Sequence, residues 1–540
     1  MKNKILKIFF YFCFVLCLFI AAGCKTTEES GKPFVQPDYT QEDIKNEEIK
    51  RIEEISQTEL IHAFWRSCML NEKSVIDKTA EKILQACNES ISEENYLQAA
   101  YFANALKIQS HPLYSKLKYS SEQLEKLSKA KIPSTPVNQN PVKLSRLIEG
   151  TVTVWVDKGV KVENGMGYAD RITGSGFFIS SDGIIVTNHH VISDLVDPKY
   201  EGYARLFVKL AGDSETRIPA KVIGWDSELD LALLKAEIEA PYVFALGSSM
   251  DMDAGDKVFC IGSPIGLERT LTSGIVSARE RFLNSAGPIM QIDAAVNSGN
   301  SGGPCVDEKG NVQAIVFAGM QQMTGLNFAI PVEYLKAELP NLIAGGEFTH
   351  GWIEACGKTK KTSSESNGVE LYYVMPGGKA FRAGLKEGDI ITAVNDQKTA
   401  DLETLQKKLC SIAARSIIKI TYLRNEETKT ATVYLSPRPS NPGFYIYKND
   451  VLSNSFAAIF GMKLTRDTNG KKKFQVENVV KGSVADESGF SESDYIEIRD
   501  IEFNEDKSVV LAAIYAKKRK KGYLDMSMGI AAPLNSPNYF

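Results

Sequence analysis

Three segments of the sequence carry residue types that together could cleave an amide bond. They are TNHHV at 187–191, DLALLK at 230–235 and GNSGGP at 299–304. A serine hydroxyl is a weak nucleophile, so it needs a base within hydrogen-bond reach, and a carboxylate must hold that base in one tautomer. Histidine, aspartate and serine, one from each segment, could supply these three roles.

The glycines around Ser301 add a fourth element of the same chemistry. The run Gly-Asn-Ser-Gly-Gly lets the backbone turn tightly. In such a turn the amides of Gly299 and Ser301 can point at one carbonyl oxygen and form an oxyanion hole. The segment therefore predicts acyl transfer through a covalent serine intermediate.

The wording and the order of the three segments resemble the HtrA (Deg) family of trypsin-fold serine proteases. The resemblance implies that His190, which directly precedes Val191, is the general base, and that His189 is a neighbour. It also implies that Asp230 orients the base and that Ser301 is the nucleophile. The fold implied is all-β, a double barrel with the triad in the cleft. Asp226 is interpreted as a turn residue.

The amino-acid composition excludes several other classes of protein. Apolar residues make up 43% of the 540 residues and charged residues 24%, which excludes a disordered tail and a multi-span membrane protein. The 63 basic and 67 acidic side chains give a net charge of −4, so we expect no nucleic-acid partner. The sequence contains no P-loop, HExxH or dinucleotide motif. We expect no cofactor and no metal.

The first residues resemble a bacterial lipoprotein signal. Lysines precede an apolar run from Ile8 to Ile20, which is too short to span a bilayer, and Ala-Ala-Gly-Cys follows at 21–24. We expect a signal peptide at 1–23, a lipid on Cys24 and a polar tether at 24–40. The mature protein would be exported and anchored, on the periplasmic face rather than the cell surface. Plain secretion remains the alternative.

Six of the nine cysteines lie beyond Cys24, and they are widely scattered and lack metal-ligand spacing. We interpret them as small buried apolar residues. An oxidising compartment would also allow a disulfide between Cys68 and Cys87.

The rest of the chain divides into further modules that differ in their residue patterns. Residues 41–131 form a predicted α-helical module, in which Ser90 and Glu93 have capping-box spacing before an Ala-rich stretch. Three prolines mark 132–141 as a linker. Short β-branched runs follow over 142–345, the predicted protease domain, where we expect no long helix.

The last two stretches resemble α/β PDZ domains, one clear at 346–438 and one degenerate at 439–540. Such a domain adds a peptide to a sheet edge and captures its terminal carboxylate. The loop that would bind the peptide is Trp352-Ile353-Glu354-Ala355, with Glu354 where the family usually has glycine.

These features predict a membrane-tethered serine endopeptidase of the HtrA type that degrades unfolded or damaged exported proteins. The resemblance implies unfolded polypeptide substrates, C-terminal peptides at the PDZ domain, and a homotrimer or larger homo-oligomer. Two alternatives stay open. The chain could be a chaperone or scaffold that holds misfolded proteins, or a surface protease that acts on host proteins.

Overall fold

The computed structural model describes most of the chain, which forms two compact units. One unit contains residues 30–35 and 441–536, and the other contains residues 36–440 and 537–540. Cys24 and the predicted signal peptide lie outside the described residues. Among the residues described, no helix is both long and apolar enough to cross a lipid bilayer. The described ranges are 30–163, 165–196, 204–262, 270–281, 288–297, 299–319, 326–362, 365–467, 472–518 and 524–540.

The larger unit begins with the predicted helical module, and a short 3₁₀ turn at Pro112–Lys116 precedes its last helix. The cap before the Ala-rich helix is Asn95, whose side chain accepts from the Gln98 amide, and Ser90 lies inside the preceding helix. The capping box predicted at Ser90 is therefore wrong. The helices are α1 (Glu42–Ile55), α2 (Leu60–Leu70), α3 (Lys73–Ser92), α4 (Tyr96–Ile108) and α5 (Ser121–Ala130).

A predicted double barrel follows, and the structure confirms it. The first six strands pair as β5-β4-β1-β2-β3-β6, and a β5–β6 pairing closes them; the next six close in the order β10-β11-β12-β9-β8-β7. The strands are β1 (Thr151–Glu163), β2 (Met166–Phe178), β3 (Ile184–Thr187), β4 (Arg205–Leu210), β5 (Asp213–Asp226), β6 (Leu231–Ala236), β7 (Lys257–Gly262), β8 (Thr270–Arg281), β9 (Ile289–Ile292), β10 (Pro304–Val306), β11 (Val312–Gly319) and β12 (Asn327–Pro331).

The barrels carry three helices, α6 (Leu144–Glu149), α7 (His189–Val196) and α8 (Val332–Ala344), and a 3₁₀ turn at Ser249–Asp251. The 13-residue helix α8 contradicts the expectation of no long helix in this domain. It buries Leu335, Leu339 and Leu342 in the main core of the protease domain. These leucines recur at helical spacing, which outweighs the proline inside the helix.

The clear PDZ domain completes the larger unit. Its main sheet has the order β15-β16-β17-β19-β20, while β13 pairs with β5 of the first barrel. The strands are β13 (Gly346–Glu347), β14 (Gly351–Trp352), β15 (Ala355–Thr362), β16 (Glu365–Val374), β17 (Ile390–Val394), β18 (Gln397–Lys398), β19 (Ile417–Arg424), β20 (Glu427–Tyr434) and β21 (Ser436–Pro437), with helices α9 (Lys379–Arg382) and α10 (Leu402–Cys410).

The helical module packs on this PDZ domain. Trp65 of α2 is fully buried, and its indole Nε1 donates to the Thr432 carbonyl of β20 at 2.8 Å. The His62 ring stacks on Tyr434 with 4.3 Å between the centroids. The apolar face of the module is therefore covered within the chain.

The smaller unit is an antiparallel five-stranded sheet in sequential order with short helices. The predicted boundary at 540 differs from the structure, because residues 537–540 lie with the larger unit. The elements are α11 (Pro442–Asn449), α12 (Leu452–Phe460), β22 (Met462–Arg466), β23 (Lys473–Val479), α13 (Val484–Glu487), β24 (Tyr495–Phe503), β25 (Val509–Lys518) and β26 (Leu524–Pro533).

The six cysteines among the described residues are all free thiols, and four of them are buried. The structure thus has no bond between Cys68 and Cys87, and the interpretation as small apolar residues fits their burial.

A buried polar cluster joins the protease domain to the PDZ domain. His350 donates from Nδ1 to the Cys410 carbonyl at 2.8 Å and from Nε2 to Asp226 Oδ2 at 2.9 Å. An imidazole that donates from both nitrogens carries a positive charge. Burial opposes that charge, but the Asp226 carboxylate outweighs it and raises the pKa of His350. Burial and the neighbouring Asp226 raise the pKa of Glu338 well above its usual range, which favours its protonated form.

This cluster makes stability depend on pH. The raised pKa means that folded His350 keeps its proton at pH values where the unfolded chain, with an ordinary value of 6.5, has lost it. The stabilisation is fully present below 6.5 and disappears as pH rises through the folded pKa. We expect the Tm of the parent to fall more between pH 6 and pH 9 than the Tm of His350→Gln. Thermal unfolding at closely spaced pH values measures the two slopes, and equal slopes would contradict the assignment.

Candidate active site

The side chains of His190 and Asp230 meet at the mouth of the first barrel. His190 lies in the first turn of α7, and Asp230 ends the turn between β5 and β6. Asp230 Oδ2 lies 2.7 Å from His190 Nδ1, and Asp230 Oδ1 accepts the His190 amide at 2.8 Å. One carboxylate thus fixes both the ring and the backbone of the histidine, which leaves Nε2 to face a substrate.

The backbone around Asp230 is unusual and well supported. Asp230 has a φ of 57°, in the left-handed region that few residues other than glycine adopt. Its carbonyl accepts from the Asn188 side chain at 2.8 Å, and Asn188 is fully buried. Strain of this kind concentrates at functional sites, where the surrounding contacts compensate for it.

Ser301 comes from the second barrel, in the turn between β9 and β10. The first barrel holds this turn directly, because the Ser175 amide donates to the Ser301 carbonyl at 2.7 Å and Ser175 Oγ donates to the Gly299 carbonyl at 2.6 Å. Gly302 has a φ of 84°, and a Cβ there would lie 2.2 Å from the Ser175 carbonyl oxygen. Glycine is therefore required for the barrels to meet at Ser301.

The hydroxyl of Ser301 has a protein partner in this structure. Ser301 Oγ donates to the Phe317 carbonyl of β11 at 3.2 Å. Among the described residues, no hydrogen bond joins the amide of Gly299 or Ser301 to a protein acceptor. A nucleophilic role for Ser301 would require its hydroxyl to rotate away from the Phe317 carbonyl.

The two neighbouring residues that the sequence left ambiguous have distinct environments. His189 is half-buried, and burial lowers the pKa of its imidazole. Asp226 is fully buried and accepts the amides of Glu228 at 2.9 Å and Leu229 at 3.1 Å. Asp226 therefore caps the turn as the sequence indicated, but its ion pair with His350 could not be inferred, because His350 is distant in sequence.

One group of described residues has ligand atoms close enough together to hold a metal ion: Asp226, Glu338 and His350. In the structure these groups pair with one another: His350 Nδ1 donates to the Cys410 carbonyl, and His350 Nε2 lies 2.9 Å from Asp226 Oδ2. Burial raises the pKa of Glu338, which disfavours its charged form beside Asp226.

The predicted peptide-binding loop lies at the start of the PDZ sheet. Trp352 and Ile353 are buried, and Ala355 opens β15. Glu354 has a φ of 68°, so it adopts the backbone for which glycine is usual. Its carboxylate accepts the Lys379 amide at 2.7 Å and the Ser436 hydroxyl at 2.6 Å, which stabilises the loop.

Comparisons with protein-family models match four parts of the chain. Residues 174–315 match the trypsin-like peptidase domain, and 360–435 match the PDZ domain. Residues 443–534 match the TP0546 family PDZ domain, and 43–128 match a domain of unknown function, DUF8517. The second PDZ domain, faint in sequence, is thereby confirmed.

Curated relatives include probable periplasmic serine endoproteases described as DegP-like. The Rhizobium meliloti protein is 34% identical over 285 residues, which are 50% of this chain and 54% of that protein. The Marinomonas protein is 31% identical over 378 residues, 67% of this chain and 76% of that protein. A putative serine protease HhoA from Synechocystis is 34% identical over 283 residues, 48% of this chain and 69% of that protein. This chain spans about half the length of the Rhizobium relative.

Solved structures with similar sequences include the HtrA-type protease AlgW with decapeptide, at 28% identity and a TM-score of 0.45, covering 55% of this chain and 98% of that one. The trypsin-like domain, the PDZ domains and the extent of the match to the Marinomonas protein agree with one another. This chain belongs to the DegP-like family of serine endoproteases.

Proposed function

We propose that this protein is a serine endopeptidase in which Ser301, His190 and Asp230 form the catalytic triad. The observation that carries the proposal is the double hydrogen bond of Asp230 to His190, together with the turn of Ser301 that Ser175 holds against the first barrel. An aspartate that fixes the histidine tautomer and a pair of open amides serve acyl transfer directly.

The proposed reaction has two steps, acylation of Ser301 and hydrolysis of the acyl-enzyme. His190 Nδ1–H donates to Asp230, so Nε2 accepts the Ser301 proton as Oγ attacks the peptide carbonyl carbon. The Gly299 and Ser301 amides stabilise the negative oxygen of the tetrahedral intermediate. The imidazolium returns its proton to the leaving amine, which departs with the C–N bond broken. His190 then takes a proton from water as the water oxygen attacks the carbonyl carbon of the acyl-serine. The ester bond breaks, the acid product leaves, and the proton passes from His190 to Ser301 Oγ.

Unfolded or extended polypeptides are the proposed substrates. The sequence contains no P-loop, so the chain has no ATP-driven means to unfold a stable substrate. The PDZ domains suit extended peptides, because strand addition to a sheet edge requires an extended backbone. The relatives are named periplasmic, and we place this chain there as well.

Attachment to the membrane and self-association complete the proposal. The pattern of lysines, apolar run and small residues before Cys24 supports export and a lipid on that cysteine. A homotrimer or larger assembly, which the family resemblance implies, would shelter the cleft between the barrels from folded proteins.

Replacing the nucleophile tests the proposal directly. We expect Ser301→Ala to reduce hydrolysis of unfolded casein by at least about 10⁴-fold, because no other group completes the triad. The same change should abolish covalent labelling by a serine-directed phosphonate. Ser115→Ala, in the exposed 3₁₀ turn of the helical module, is the matched control and should leave both unchanged. Full casein hydrolysis by Ser301→Ala would exclude Ser301 as the nucleophile. A parent protein that neither cleaves casein nor takes up the label would favour the chaperone or scaffold alternative.

The orienting carboxylate offers a second test. We expect Asp230→Asn to lower kcat by about 10⁴-fold with little change in KM, because an amide stabilises the wrong tautomer of His190. Asp251→Asn, at the end of the 3₁₀ turn in the second barrel, supplies a control for the loss of one charge. Circular dichroism establishes that both variants fold. A kcat within tenfold of the parent would exclude Asp230 from the triad.

A further inference from the structure

The last four residues of the sequence, Pro537–Phe540, form a tail segment that belongs to the larger unit and lies along β15 of its PDZ domain. The Phe540 amide donates to the Ala355 carbonyl at 3.0 Å, and the Ala355 amide donates to Phe540 O at 3.0 Å. The Gly357 amide donates to the Asn538 carbonyl at 3.2 Å. The tail segment therefore adds an antiparallel strand to the sheet edge where a PDZ domain binds peptides.

The side chain of Phe540 fills an apolar site inside the domain. It is 2% exposed and belongs to the same buried cluster as Ile353, Leu371 and Leu409. A Cβ on Gly357 would lie 2.6 Å from the far end of the Phe540 ring. The absence of a side chain at Gly357 thus makes room for an aromatic ring.

The remaining contacts hold the tail segment at its other end and on its opposite face. Gln406 of α10 donates from Nε2 to the Pro537 carbonyl at 2.5 Å. Tyr539 is 3% exposed, and burial raises the pKa of its phenol well above the usual range. His350 and Arg438 line the same pocket as Tyr539 and Phe540. Two consecutive aromatic side chains are therefore buried on the two faces of the added strand.

We propose that the tail segment is the resident ligand of the first PDZ groove, and that an external ligand is an extended peptide with two consecutive aromatic residues that displaces it. The groove binds the ligand backbone through hydrogen bonds of Ala355 and Gly357. It binds the ligand's second aromatic side chain in the apolar site that Phe540 fills. Its first occupant is this chain itself, so the free groove is a minor state.

The physical reason for this self-occupancy is effective concentration. A ligand joined to its own site by covalent linkage competes at a local concentration of the order of millimolar. A free peptide with the same contacts must exceed that value to occupy half of the sites. Removing the tail segment should therefore tighten the apparent affinity for a free peptide without changing the groove.

The test measures binding of a fluorescein-labelled peptide, Asn-Ser-Pro-Asn-Tyr-Phe, by fluorescence anisotropy. The proteins are the full chain, the chain ending at Ser536, Phe540→Asp and Asn425→Asp, each with Ser301→Ala so that no probe is cleaved. Asn425 is exposed in the turn between β19 and β20, at the opposite edge of the same sheet, so Asn425→Asp adds the same charge away from the groove. We expect the truncated chain and Phe540→Asp to bind at least tenfold more tightly than the full chain, and Asn425→Asp to match the full chain.

Equal affinity across the four proteins, or no binding by the truncated chain, would overturn the proposal. If truncation unfolds the domain, Phe540→Asp carries the comparison, because it keeps the full backbone. Amide hydrogen exchange at 355–357 gives an independent measurement: exchange should accelerate when the tail segment is removed and slow again with added peptide. None of these measurements requires hydrolysis, so their failure is separate from failure of the proposed protease.

Discussion

The hydrogen bonds of the Asp230 carboxylate to His190 are the interaction on which the site depends. The turn that carries Asp230 begins at Asp226, and each end of this short turn has a carboxylate with a different task. Asp226 is buried against a protonated His350 and fixes the turn from inside, while Asp230 faces the cleft and fixes the histidine. A buried ion pair is costly to desolvate, so its value here lies in holding one geometry rather than in net stability.

The residues of the proposed triad could be identified in the sequence because their signals are local. GNSGGP specifies a tight backbone turn, and the glycines at 299 and 302 adopt the positive φ angles that such a turn demands. The two barrels could be predicted from short β-branched runs and the family resemblance. Helix α8 was missed because the region was interpreted from its short β-branched runs alone, although the leucines of the helix have helical spacing.

The long-range contacts could not be predicted, because each joins residues that lie far apart in sequence. Trp65 gives no sign in its own segment that its indole donates to Thr432. An apolar face on a helical module predicts burial but does not identify the surface that covers it. The same limit applies to Asp226 with His350, and to the strand that residues 537–540 add to β15.

The turn between β5 and β6 also contacts the PDZ domain at a second point. Arg438, which follows the last strand of that domain, lies 3.2 Å from the Glu228 carboxylate, and both side chains are largely shielded from water. With the bond between His350 and Asp226, this ion pair ties two successive parts of the turn to one neighbour. Asp230 closes the same turn. If the PDZ domain moved while Asp230 stayed beside His190, Asp226 and Glu228 would lose their buried partners His350 and Arg438. Loss of a partner in a buried charge pair is strongly unfavourable, so the domain interface and the geometry of the proposed triad are fixed together.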